Sequence, residues 1–194
     1  MEFNDTAPME TRLDRRRRRV LDVPAAGRVP FPEPSGETGD AAELFDRYLG
    51  YYRETVIGKV CSLSDIEART SRLPSGWTPI ELLRHLGFME RRWFVWGFLG
   101  EAVENPWGDA RDDRWQVPAD ATVQHTVSKL REVGHRTSAV LAEHRLEEVG
   151  VPGGRFEVDP PTLAWICFHV LQEYARHAGH LDIAVELAGG ELGE

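Results

Sequence analysis

Cysteine is scarce in this chain: there are two in 194 residues, Cys61 and Cys167, and they form no CxxC pair. That excludes a disulfide framework and fits a reducing cytoplasm. Both are expected as small core residues, Cys167 facing away from the histidines that surround it in sequence. No apolar run approaches the roughly 20 residues of a membrane span. A basic surplus is lacking too, and the net charge of −9 argues against a nucleic-acid partner or an anionic membrane surface. The arginines near the N-terminus have no apolar stretch after them, so no secretory signal is expected. Strand-like alternation is nearly absent, and neither an internal repeat nor a Rossmann pattern is visible. Gly153-Gly154 lacks the following lysine and flanking strand of a phosphate loop and reads as a turn, possible between two short strands.

What is present is helical. Hydrophobic residues make up 41%, ordinary for a globular chain, and the length fits one compact domain with tails. Residues 1–38, with the Arg15–Arg19 block and Pro24, Pro30, Pro32 and Pro34, read as a flexible arm. Residues 39–194 form the domain. Asp40 caps a first helix over about Ala41 to Cys61, with Leu44, Tyr48, Tyr51, Tyr52, Thr55, Val56 and Val60 as its inward stripe. Ser64-Asp65-Ile66-Glu67 resembles a capping sequence for a short helical piece. Thr78-Pro79-Ile80-Glu81 starts a second helix, which continues to near Gly100 and places Leu82, His85, Leu86, Met89, Trp93 and Trp96 on one face. Glu101–Asp120 is a long polar crossover whose Trp107 and Trp115 either roof a pocket or cover the core. Asp120 or Thr122 starts a third helix, with Val123, Thr126, Val127, Leu130, Val133, Thr137, Val140 and Leu141 turned inward. His125, His135 and His144 fall at irregular positions on it and are expected at the surface. Leu146–Pro161 is a loop, and Pro161 or Thr162 opens a fourth helix that ends near Gly189-Gly190.

The fourth helix carries the chemistry. At about 100° per residue, His169, Glu173, His177 and His180 share one narrow sector. Glu173 and His177 are four apart, so their side chains stand one above the other and can share a ligand. His85 lies in an otherwise apolar stripe, where an unpaired polar group costs about 1–3 kcal/mol. Together the three read as ligands of a divalent metal. Two histidines and a carboxylate make a common catalytic zinc set with a position left open, and the set also accepts iron, nickel or manganese. His169 and His180 are then either a fourth ligand or partners that orient the other three.

The stretch YLGYYRETVIGKVCSLSDIEARTSRLPSGWTPIELLRHLGFMERRWF, followed at a distance by HVLQEYARHAGHLDIAVEL, resembles the DinB-like four-helix metalloproteins. More narrowly it is similar to their mycothiol-transferase-like branch. The similarity covers roughly Ala41 to Glu194, and PSGWTPIELLRHL and EYARHAGHLD are its specific anchors. The resemblance implies an all-α bundle of down-up-up-down type, with a long crossover between helices two and three. It also implies a metal, zinc first, on a histidine of helix two and two residues of the last helix, matching His85, Glu173 and His177. Many members carry histidine where this chain has Glu173, and glutamine where it has His180.

The implied activity is transfer of a low-molecular-weight thiol to an electrophilic small molecule, in a protein that is often a homodimer. Arg84, Arg92 and Arg176 lie close in sequence to the ligands, as candidates either for holding an anionic substrate or for structural ion pairs. Two other readings compete. One is a hydrolase using metal-bound hydroxide, with Glu90 or His169 as base. The other is a non-enzymatic protein in which a metal only clamps two helices.

Overall fold

Local capping chemistry begins each α-helix among the described residues of the computed structural model, which describes residues 33–34 and 36–190. The Arg15–Arg19 arm lies outside the described residues. Helix α1 spans Ala41–Cys61, and the Asp40 carboxylate accepts the backbone N–H groups of Ala42 and Glu43. The single-turn α2, Asp65–Ala68, has a reciprocal capping box between Ser64 and Glu67. Helix α3, Pro79–Arg91, has the same device between Thr78 and Glu81, with proline in the first turn. Thr122 caps α4, Val123–Glu143, and Thr162 caps α5, Leu163–Leu187. Each such cap is worth about 1 kcal/mol. Gly189, at φ +77°, stands just past the end of α5 in the left-handed conformation that favours glycine.

Helix α3 does not run on regularly to Gly100. It widens into a π-helical stretch over Arg92–Phe98. Its carbonyls are drawn into another partnership: Trp96 O accepts the Arg155 amide at 3.1 Å and Phe98 O accepts the Val151 amide at 2.7 Å. The loop after α4 is thereby stitched to the end of α3. Gly154 makes this possible, since a Cβ there would collide with the Trp96 carbonyl oxygen.

The four long helices form an all-α bundle, and side-chain pairs give their directions. Phe45 meets Phe168 and Lys59 meets Asp182, so α1 and α5 advance together. Glu54 pairs with Arg131 and Asp46 with Ser138, in opposite order, so α1 and α4 are antiparallel. His85 meets His177 while Trp93 meets Trp165, so α3 and α5 are antiparallel as well. This is the down-up-up-down bundle with a long crossover between its second and third long helices, and it sets α3 directly against α5. The core runs through Leu49, Val56, Leu86, Leu130, Ile166 and Leu181.

Three expectations need correction. The buried face of α1 is Leu49, Arg53, Val56, Ile57, Lys59 and Val60, while Leu44 and the tyrosines stay half-buried. Arg53 turns inward because Glu90 waits there, with Nη2 to Oε1 at 2.8 Å and Nε to Oε2 at 3.3 Å, and the Tyr174 hydroxyl donates to the same carboxylate. Burial would lower the Arg53 pKa, but the Glu90 charge more than offsets it and the net shift is upward. Cys61 is exposed, because it is the last residue of α1; Cys167 is buried, and its thiol is pushed up to about 12 by burial. Finally, the short strands are not near Gly153-Gly154, where only an isolated bridge joins Val149 to Thr162. They are β1, Ala110–Arg111, and β2, Arg114–Trp115, inside the crossover. Asp112 and Asp113 take φ of +50° and +59°, the two left-handed positions of a tight hairpin turn.

Candidate metal centre

His85 projects from the middle of α3, and Glu173 and His177 project from one face of α5. Ligand atoms of the three residues all lie within 4.8 Å of one another. The Glu173 Oε2 to His177 Nε2 distance is 3.3 Å. His85 and Glu173 are partly accessible and His177 is buried. No fourth His, Cys, Asp or Glu joins the group among the described residues.

The orientation of each imidazole is set by what holds its other nitrogen. His85 Nδ1 is 2.8 Å from the Asp109 carboxylate, which leaves Nε2 for the cluster. The ring lies flat against the Trp115 indole, with centroids 4.4 Å apart. His177 Nδ1 faces His180 Nδ1 at 3.4 Å, so its Nε2 points to Glu173. Burial, and then the nearby His85 charge, lower the His177 pKa to about 4. That imidazole is therefore neutral at pH 7 and keeps a lone pair for a cation, as a metal ligand must. Two imidazoles and one carboxylate, oriented by partners on their far sides, form a donor set that could hold a divalent metal.

No pattern or spacing in the sequence marks Asp109. It lies 24 residues beyond His85, in a loop with no periodicity. It is almost wholly buried, and its second oxygen accepts from Arg92 Nη1 at 2.6 Å. Burial alone would raise its pKa, but hydrogen bonds from His85 and Arg92 outweigh that and hold it below the usual carboxylate range. Arg92 also donates to the Pro106 carbonyl, and Arg84 donates to the Gly108 and Gln116 carbonyls at 2.6 and 2.8 Å. Both arginines thus staple the crossover loop across the site. Trp115 packs on His85 as part of that loop, whereas Trp107 stays about half exposed, under the guanidiniums of Arg92 and Arg155.

The remaining candidates fall outside the cluster. His169 is stacked on Trp165 and packed against Trp93, at centroid distances of 5.3 and 4.2 Å. Burial holds its pKa below the ordinary value; the Glu173 charge works against that and the Arg155 charge with it. Arg176 is exposed beside His177, and His125 and His135 are exposed on α4. Glu90 is fully buried against Arg53 and Tyr174, so it has no access to a solvent water.

A family model described as mycothiol-S-transferase matches residues 44–190. No curated protein matches the chain.

Proposed function

The chain belongs to the mycothiol-S-transferase family, and from that premise we propose that it is a metal-dependent thiol S-transferase. It joins a low-molecular-weight thiol to an electrophilic carbon. The observation that carries this reading is the meeting of His85, Glu173 and His177 within 4.8 Å, with no fourth residue closing the set among the described residues. These three would hold the ion, with zinc expected and nickel, iron or manganese compatible with the same donors. A bound divalent ion lowers the pKa of a thiol by several units, so that the sulfur is nucleophilic at neutral pH.

The residues around the site divide the remaining work. Asp109 fixes the His85 ring through Nδ1, and Trp115 covers its face against water. His169, one turn before Glu173 on α5 and favoured in its neutral form by burial, can take the proton that the thiol loses. The sulfur then forms the new C–S bond, and the leaving group departs with its bonding pair. Where the electrophile is an activated double bond, the proton returns to carbon instead. A hydrolase using Glu90 as base is disfavoured, since that carboxylate is enclosed by Arg53 and Tyr174. No described helix is long and apolar enough to cross a membrane; a cytoplasmic homodimer is consistent with this reading.

The test is metal analysis joined to conjugation kinetics. His85→Ala, Glu173→Ala and His177→Ala should each lower metal content and abolish metal-dependent conjugation, and His125→Ala should do neither. Full stoichiometry in the first three variants would remove the ligand assignment. Absence of metal-dependent conjugation with every member of a thiol panel would remove the activity.

A further inference from the structure

Arg155 comes from the loop between α4 and α5, and its backbone is pinned by the amide bond to Trp96 O at 3.1 Å. Its guanidinium carbon sits 4.2 Å from the centroid of the Trp93 ring, 5.3 Å from that of Trp107 and 5.8 Å from that of Phe156. Trp93 also packs on His169, at 4.2 Å, which stands one turn from Glu173. Arg155 and the candidate metal centre therefore flank the same aromatic and histidine surface.

Two features make this arginine unusual. Its Nη1 is buried with no hydrogen-bond acceptor, and it forms no salt bridge among the described residues. Arg84 and Arg92, by contrast, are engaged with loop carbonyls, and Arg92 with Asp109 as well. Burial and then the neighbouring Arg92 charge lower the Arg155 pKa, with no carboxylate acting in the other direction. Ring faces offset only part of the cost of burying a cation. An anion of matching shape would remove the rest, and a planar guanidinium fork is suited to a carboxylate. Only Nη1 is sealed; the residue as a whole is partly exposed, so a ligand can reach the rest of the guanidinium fork.

We propose that Arg155 is the anion-binding residue of this site and holds a carboxylate on the electrophilic substrate while the reacting carbon faces the metal centre. The proposal rests on the transferase reading for the identity of that substrate. It adds a substrate class, acidic electrophiles, and a residue that determines it.

The experiment compares a chloronitrobenzoate with its primary amide as electrophiles for wild type, Arg155→Gln and Arg176→Gln, with one thiol throughout. Arg155→Gln is expected to raise KM for the carboxylate about ten- to hundredfold, the worth of a charge-assisted hydrogen-bonded pair, and to leave KM for the amide and for the thiol unchanged. Arg176→Gln should leave all three unchanged. In parallel, calorimetry with nitrobenzoate in the absence of thiol should show binding to wild type and a loss of similar size in Arg155→Gln. Unchanged carboxylate KM and unchanged nitrobenzoate affinity would overturn the proposal, and so would a change confined to the thiol KM. Turnover of the neutral amide reports on the transferase reading separately. That reading can fail while nitrobenzoate still binds at Arg155, or hold while Arg155 proves idle.

Discussion

Replacing Asp109 by Asn changes no volume and leaves the backbone alone, yet it should damage the centre. The aspartate uses both oxygens, Oδ2 toward His85 Nδ1 at 2.8 Å and Oδ1 toward Arg92 Nη1 at 2.6 Å. An asparagine has one oxygen to offer. Its NH2 must then face either the imidazole N–H or the guanidinium, donor against donor, in a site only 1% exposed. Leaving a buried group unsatisfied costs about 1–3 kcal/mol, more when it is charged. The Arg92 side chain, 4% exposed, also loses its counter-charge. For the proposed metal, loss of the partner that orients a ligating histidine typically weakens affinity about 10–100-fold, or about 1.4–2.8 kcal/mol.

Competition against a chromophoric chelator measures the affinity, and denaturant unfolding of the metal-free protein measures the stability. Both should fall in Asp109→Asn, and Asp109→Glu should not restore the affinity, because its longer arm displaces the carboxylate. Wild-type metal affinity in Asp109→Asn would refute the argument that this carboxylate sets the His85 ring.

The metal-free protein should lose stability as pH falls from about 6.5 to about 4. The unfolded chain takes up the His177 proton from 6.5 downward, while the folded chain resists until about 4. The loss attributable to this group is on the order of 3 kcal/mol in all, and a His177→Gln variant should show a correspondingly flatter profile in urea melts at successive pH values. Glu90→Leu alone should cost about 3–5 kcal/mol by stranding the buried Arg53 cation. The combined change Arg53→Met, Glu90→Leu and Tyr174→Phe should recover more than half of that in the same unfolding assay, and no recovery would mean that packing, not charge, dominates there.

How far the chain could be read without coordinates depends on the range of the interaction involved. Asp40, Ser64, Thr78, Thr122 and Thr162 mark helix starts because a capping side chain satisfies an amide two or three residues ahead. The relation of Glu173 to His177 is equally local, one turn of one helix. His85 could be joined to them only by supposing that α3 and α5 face each other, which the bundle fulfils. The groups that complete the site have no such periodic signature. Asp109 reaches His85 from a loop, and Arg155 is brought to Trp93 by a stitch between Trp96 O and its own amide. Arg53 defied its helix pattern because Glu90, 37 residues away, supplied the charge that lets an arginine enter a core.

Helix positions and the shared face of Glu173 and His177 were thus determined by hydrogen bonds and periodicity that span a few residues and need nothing else to form. Which nitrogen each histidine presents, which arginines staple the loop and that the buried Nη1 of Arg155 is left without an acceptor were decided only when α3, α5 and the two long loops came together, because those properties belong to pairs of residues that the chain itself keeps far apart.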